Sequence, residues 1–437
     1  MCGARCGLIR RCRPERHGSA LMRLLIVSQY FWPETFRINE VARDLVSRGH
    51  HVTVLCGTPN YPAGRLFEGY GWLRRTREVW CGVQIVRVPV VPRGQGSRWR
   101  LAANYLSYAI MASLLGPIRC RGRADVVLVF QMSPVIQGIA AVVMKRLRRA
   151  PMLFWVQDLW PESLIAVGAI RTRWLLWPIE MLVRGLYRAS ALVLIQSRAF
   201  SSHVAAHGVP PDRIRYFPNL AESSYVPLPL EAAHPALNQV PRGFRVMFAG
   251  NIGTAQDLPT VLAAAELTRE RPEIQWVIVG DGSMRAWVQA EIERRRLAAV
   301  HLLGRFPVED MPRLFAGADA LLVTLRRDPV LSLTIPAKVQ SYLACAKPII
   351  GALDGEGAAI IVEAGAGVCA PAEDPVALAA GVRELCDLNA AARLEMGRRG
   401  RDYFQANFGS DMLLGRLENW CSELASTRGT ASRDAAI

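Results

Sequence analysis

Acidic side chains are the scarce class in this 437-residue chain: 37 aspartates and glutamates stand against 53 lysines and arginines, a formal net charge of +16. An excess of that size points to an anionic partner, whether nucleic acid, an anionic membrane surface or an acidic substrate. Zinc-finger spacing, an RNP motif and a recognisable helix-turn-helix are all missing, so no nucleic-acid partner is expected. Histidine is rare too, with seven in all. An HExxH, a Ser-His-Asp order and a Cys-His pair are absent, which leaves the common hydrolase chemistries without footing. There is no DxD, and Asp354-Gly355-Glu356 is the nearest approach to one. No metal site and no cofactor are therefore expected. The ten cysteines form no CxxC pair, and Cys2, Cys6 and Cys12 crowd a basic N-terminal stretch. A disulfide framework or structural zinc is not expected, and a reducing cytosol is the natural setting.

Long apolar runs are lacking as well. No stretch of roughly 18 residues reads cleanly as a transmembrane helix. The nearest, Leu101 to Ile118, is interrupted by Asn104, Tyr105, Ser107, Tyr108 and Ser113. It reads as an amphipathic helix, with Arg98 and Arg100 before it and Arg119, Arg121 and Arg123 after it. That pattern suits an anionic headgroup layer, with Tyr105 and Tyr108 at the interface and Leu101, Leu106, Ile110, Leu114 and Leu115 toward the acyl chains. A soluble crossover helix would bury the same leucines. The opening residues have no apolar core of secretory type. Residues 1–21 are expected to be a disordered extension, and 425–437 a disordered tail.

What is present alternates. Apolar runs of strand length recur at 24–30, 51–56, 124–130, 151–158 and 191–197, with helical stretches between them. A proline-rich passage at 226–241 has no apolar period and reads as a linker. A second series follows, with strands at 245–251, 276–282, 300–306, 320–325 and 348–353. The fold class is α/β: two doubly wound, Rossmann-like parallel-sheet domains, 22–225 and 242–400, facing a cleft, with a last helix over 401–424.

Three glycine turns follow strands of the second series. Gly250-Asn251-Ile252-Gly253 opens before a helix, where backbone N–H groups and a helix dipole can meet a phosphate; Gln256 adds a neutral donor. Gly280-Asp281-Gly282 is the second turn, and Gly304-Arg305-Phe306 the third. Each alone reads equally well as a tight connection, but all three fall on one sheet edge. Lys338 and Ser341 enter a helix where a lysine can neutralise a diphosphate, although a surface lysine fits the same pattern. In the first domain, Glu34 and Arg37 follow the first strand, and Gln157, Asp158 and Glu162 follow a later one. Polar residues at two such strand ends suggest an acceptor site.

At these residues the chain resembles the GT-B glycosyltransferases of family 4, in the bacterial O-antigen and capsule branch that includes colanic-acid and L-fucosamine transferases. QYFWPETFRINE, GTPNYPAG, WVQDLWPES, YFPNLAE, FAGNIGTAQDL, VGDGS and IPAKVQSYLACAKPI carry the match in that order, from Met22 to about Trp420. The resemblance implies a retaining transfer from a UDP- or GDP-sugar without an essential metal. It places the donor on the C-terminal domain, against Gly250 to Gly253, Gln256, Gly280 to Gly282, Arg305, Lys338 and Ser341. It places the acceptor, a polyprenyl-diphosphate-linked saccharide, on the N-terminal domain near Arg37 and Glu162, with Asp158, Gln157 and Glu34 as candidate catalytic residues. The last helix would cross back to the first domain, and the enzyme would sit peripherally on the cytoplasmic face of the inner membrane. Departures are visible. Asn251 and Gln256 stand where many members have Arg and Lys, and the paired glutamates are replaced by Leu333 and Ser341. Two other readings are weighed beside this one: a GT-B-fold nucleotide-sugar 2-epimerase, which needs several cleft carboxylates and histidines, and a non-catalytic membrane-docked scaffold.

Overall fold

The computed structural model describes residues 21–434 except 96, 167–172, 222 and 223; for 165, 166, 173–175 and 427–434 it describes the backbone alone. The extension expected ahead of residue 21 and the last three residues lie outside the described residues. By compactness the chain falls into two units. One comprises the residues up to Leu128, Val143–Pro151 and the stretch from Arg416; the other comprises Val129–Val142 and Met152–Gly415.

The first eight strands form one sheet. They are β1 (Arg23–Val27), β2 (His51–Gly57), β3 (Arg77–Trp80), β4 (Val83–Val88), β5 (Val126–Gln131), β6 (Met152–Val156), β7 (Leu192–Ile195) and β8 (Ile214–Tyr216), in the order β3-β4-β2-β1-β5-β6-β7-β8. The strands that were legible in sequence are rich in apolar residues, and β5 and β6 are buried along their whole length. Such burial marks parallel strands covered on both faces. The unexpected β3 is short, half exposed and antiparallel to β4. Its hairpin turns at Cys81 and Gly82, both with positive φ, as a type I′ turn requires.

Six strands form the second sheet: β9 (Phe244–Ala249), β10 (Ile274–Val279), β11 (Val300–Gly304), β12 (Ala320–Thr324), β13 (Ile349–Ala352) and β14 (Gly367–Ala370). Their order is β11-β10-β9-β12-β13-β14, and every pairing is parallel. Side chains alternate between two cores. Met247, Val277 and Leu321 pack on one face, and Phe248, Trp276 and Leu322 on the other. The order reverses beside β1 in the first sheet and beside β9 in the second. The ends of these two strands are where ligands settle in doubly wound folds.

Two stretches differ from the sequence reading. The passage expected as a plain linker contains 3-10 turns at Leu230–Ala232 and Pro235–Gln239, and it buries Leu237 and Val240 in the core of the second sheet. Two anchoring residues are too few to make a period, so the prolines dominated the pattern. The C-terminal stretch is two helices, Ala390–Phe408 and Ser410–Asp434, and the second runs into the residues expected as a tail. Within the first unit, buried Glu418 of that helix takes a hydrogen bond from Arg48 at 3.2 Å and lies 2.9 Å from His50 Nε2. His50 Nδ1 accepts the Met22 N–H, so Nε2 carries the proton toward Glu418.

Candidate active site

The three glycine turns lie at the adjacent ends of β9, β10 and β11 and are stitched to one another. Gly250 N–H donates to the Val279 carbonyl at 2.9 Å, Ile252 N–H to Asp281 at 2.9 Å and Gly280 N–H to Gly304 at 2.8 Å. The approach is too close for side chains. A Cβ on Gly280 would sit 1.8 Å from the Gly250 carbonyl oxygen, and one on Gly282 would sit 2.4 Å from that of Ile252. Asn251 fills the remaining space: its amide would meet a Cβ on Gly253 or Gly282 at 2.7 Å.

Lys338 completes this edge from the first turn of the helix Ala337–Ala344. Its ammonium donates to Gln256 Oε1, lies 4.5 Å from the centroid of the Phe248 ring and would touch a Cβ on Gly250 at 3.4 Å. Three residues singled out separately in the sequence therefore converge: Gly250, Gln256 and Lys338. Burial pushes the lysine down to about 7, and no carboxylate contributes an opposing pull. A cation held at this cost, on a surface of glycine backbone, is suited to an anion. Gln256 is held in turn by Thr324, whose hydroxyl donates to its carbonyl, and the Arg326 N–H donates to Ala255 at 3.1 Å.

The helix dipole expected behind Gly253 is displaced. A 3-10 turn, Thr254–Gln256, intervenes, and the helix Leu258–Leu267 begins at Asp257, a residue with φ of 46°. The Asp257 carboxyl interacts with Thr260, while burial pushes its pKa up. The glycine turn therefore does not lead straight into a helix N-terminus, and the positive charge beside it is that of Lys338. Ser341 also differs from expectation. It is buried, and its hydroxyl donates to the Ala337 carbonyl of its own helix at 3.2 Å. Arg305 is exposed beside Gly304. Arg285, passed over in the sequence, heads the helix Arg285–Arg295, where its guanidinium would lie 3.6 Å from a Cβ on Gly304 and is 4.0 Å from Asp281.

The residues after β6 form a second polar group in the same compact unit. Asp158 Oδ2 accepts from the Ser133 N–H at 3.0 Å and hydroxyl at 2.8 Å, and Trp160 Nε1 donates to that hydroxyl at 3.2 Å. Gln157 is buried, and its Nε2 finds no hydrogen-bond partner among the described residues. A chain of amides starts at its carbonyl: Gln196 Nε2 donates to it at 3.2 Å, and Asn219 Nδ2 donates to Gln196 at 3.4 Å. Gln340, on the helix that carries Lys338, donates to the Asn219 carbonyl at 2.6 Å. Glu162 Oε2 lies 3.2 Å from His203 Nε2, within ion-pair distance but not aligned as a hydrogen bond. Burial pushes the His203 pKa down, and the glutamate opposes that shift. Local sequence does not mark His203 for the site, because the contact joins residues 41 positions apart.

Glu34, a candidate catalytic carboxylate, is instead spent on the backbone. One oxygen accepts from the N–H groups of Asn60 at 2.8 Å and Tyr61 at 2.7 Å, and the other from Phe31 at 3.3 Å. Burial pushes its pKa up to about 7 while these donors pull it down. It fixes the loop after β2 to the loop after β1. Arg37 opens the helix Arg37–Ser47 behind it. Among the described residues, no three His, Cys, Asp or Glu side chains converge as a metal-ligand group.

Residues 35–220 match the glycosyl transferase 4-like domain family, and residues 243–387 match the glycosyl transferases group 1 family. The chain is a GT-B glycosyltransferase. The enzyme is 28% identical over 296 residues to the probable glycosyltransferase WbjE of Pseudomonas aeruginosa, covering 65% of this chain and 71% of that protein. It is 24% identical over 390 residues to the putative colanic acid biosynthesis glycosyl transferase WcaI of Escherichia coli K12, covering 83% and 92%. Among solved structures, HepE of Anabaena in complex with UDP and glucose superposes with a TM-score of 0.64 at 16% identity, covering 92% of this chain and all of that one.

Proposed function

We propose that the enzyme transfers a hexose unit, with retention at the anomeric carbon, from a UDP- or GDP-sugar to a polyprenyl-diphosphate-linked saccharide during bacterial surface-polysaccharide synthesis. The observation that carries the donor half is the Lys338 ammonium lodged between Gly250, Gln256 and the Phe248 ring. A diphosphate on the glycine edge would meet that cation and the backbone of the turn, with no metal required. The UDP complex of HepE supports the class of donor, and the polysaccharide named for WcaI supports the class of product. Leu333 and Ser341 take the places of the family's paired glutamates, so fewer sugar hydroxyls would be gripped. A deoxy or N-acetyl-deoxy hexose fits that loss.

The test is turnover. Purified enzyme is given UDP- and GDP-hexoses with a polyprenyl-diphosphate saccharide, with and without EDTA, and product is analysed by NMR for anomeric configuration. Release of UDP or GDP, an anomer matching the donor and indifference to EDTA are expected. Inversion, or loss of turnover in EDTA restored by magnesium or manganese, contradicts the corresponding part.

A further inference from the structure

The helix Arg98–Arg119 is the one helix among the described residues long and apolar enough to cross a membrane. Its packing rules out that orientation, because one face is fastened to the protein. Asn104 accepts from Gln29 at 2.7 Å and donates to the Val91 carbonyl at 2.6 Å, and the Tyr108 hydroxyl donates to the Leu55 carbonyl at 2.9 Å. A Cβ on Gly116 would strike Leu55 at 2.8 Å, so helix and sheet are in direct contact there. Tyr108, expected at the headgroup interface, is instead fully buried.

The opposite face is bare and apolar. Trp99 is 87% exposed, Leu106 51%, Ile110 47%, Leu114 62% and Ile118 58%. With exposed Ala102 and Ala103, these residues recur every three or four positions and draw one stripe along the helix. A 22-residue helix is about 33 Å long at 1.5 Å per residue. Soluble proteins rarely leave such a stripe uncovered.

The surrounding charge indicates what covers it. From Glu78 to Asp125 the chain has seven arginines and no acidic residue between those two ends. Arg98 and Arg100 are exposed at one end of the stripe and Arg121 and Arg123 at the other. Arg119 is spent internally, since it donates to the Arg87 carbonyl. Past the last turn a concavity of about 580 Å³ is lined by Arg23, His51, Arg121, Arg123 and Arg148 and, among the described residues, by no carboxylate. An apolar stripe flanked at both ends by unopposed arginines is complementary to acyl chains beneath anionic headgroups.

We propose that this face docks the enzyme in the plane of an anionic phospholipid surface, with Leu106, Ile110 and Leu114 inserted and the terminal arginines among the phosphates. The start of the helix adjoins the loop after β2: Gly94 N–H donates to Gly64 at 2.9 Å, and Gln95 donates to Ala63 at 3.2 Å. Docking therefore sets the ligand-side edge of the first sheet next to the headgroups.

The test is co-sedimentation of the full chain with phosphatidylcholine vesicles, with and without phosphatidylglycerol, in the absence of any nucleotide or acceptor. It thus reads independently of the transfer reaction. The parent binds the anionic vesicles and is released by salt. A Leu106→Ser/Ile110→Ser/Leu114→Ser variant loses at least about tenfold in partitioning, and an Arg98→Gln/Arg121→Gln/Arg123→Gln variant loses the preference for phosphatidylglycerol. All six side chains are solvent-facing, so the thermal midpoint should hold; Trp99→Ser serves as a second, single-site reading of the same face. Equal binding by parent and serine variant overturns the proposal, as does failure of the parent to bind. A parent that is dimeric in solution beside a monomeric serine variant also overturns it, since a second copy would then cover the stripe.

Discussion

Lys338 sits where its charge is least comfortable, against a neutral amide, an aromatic ring and glycine backbone. Burial lowers it to about 7 in the free enzyme. A diphosphate favours the charged form and raises that value, so binding takes up a proton wherever the pH lies between the two. Donor affinity is then greatest below about pH 7 and falls by up to about tenfold per unit above it. Calorimetry of UDP binding at pH 8, in buffers of different ionisation enthalpy, should reveal proton uptake by the parent and none by Lys338→Met. Equal heats across buffers for the parent would remove the lysine from the diphosphate. Glu34 teaches the opposite lesson at this scale. A carboxylate placed by sequence at a ligand-facing loop turns out to hold three backbone N–H groups.

The glycine edge is a device of three elements, and each glycine protects its neighbour's backbone. Gly280→Ala is expected to lose donor binding and lower the thermal midpoint. Its Cβ would lie 1.8 Å from a carbonyl oxygen, and its φ of +139° is strained for any side chain; roughly 1–3 kcal/mol of backbone strain adds to the clash. Gly185→Ala, on an exposed helix with nothing within 4 Å, is the control; it should leave UDP binding unchanged and hold or slightly raise the thermal midpoint. Unaltered UDP binding by Gly280→Ala would show that the edge tolerates a side chain. This edge was legible in sequence because glycine after a buried strand reports a local backbone requirement. The amide chain through Gln196, Asn219 and Gln340 was not, nor was His203 beside Glu162. Those contacts join segments tens of residues apart, and neutral amides leave no charge or spacing signal. The strands missed, β3, β4, β8 and β14, are short, close to a sheet edge or, in β4, interrupted by Arg87, so their apolar runs are weak.

Over the whole molecule, repetition of strand and helix on either side of a proline-rich passage was enough to announce two doubly wound sheets, and the six parallel strands of the second are ordered about β9 as that pattern requires. Position relative to β9 then explains why residues as far apart as Gly250 and Lys338 meet at one edge. The excess of arginine finds a partial account in the belt between Glu78 and Asp125, on the first sheet's side of the chain. The proposed function depends most on the second sheet, where a nucleoside diphosphate is proposed to lie across the glycine turns against Lys338. The most direct measurement is the dissociation constant of UDP and of GDP for the parent and for Lys338→Ala, with the thermal midpoint of both proteins taken alongside. At least one of the two nucleotides is expected to bind the parent, and the variant, still folded, to bind it more weakly by roughly 1.5–3 kcal/mol, or about 10- to 150-fold. An unchanged dissociation constant in a folded Lys338→Ala protein would contradict that placement.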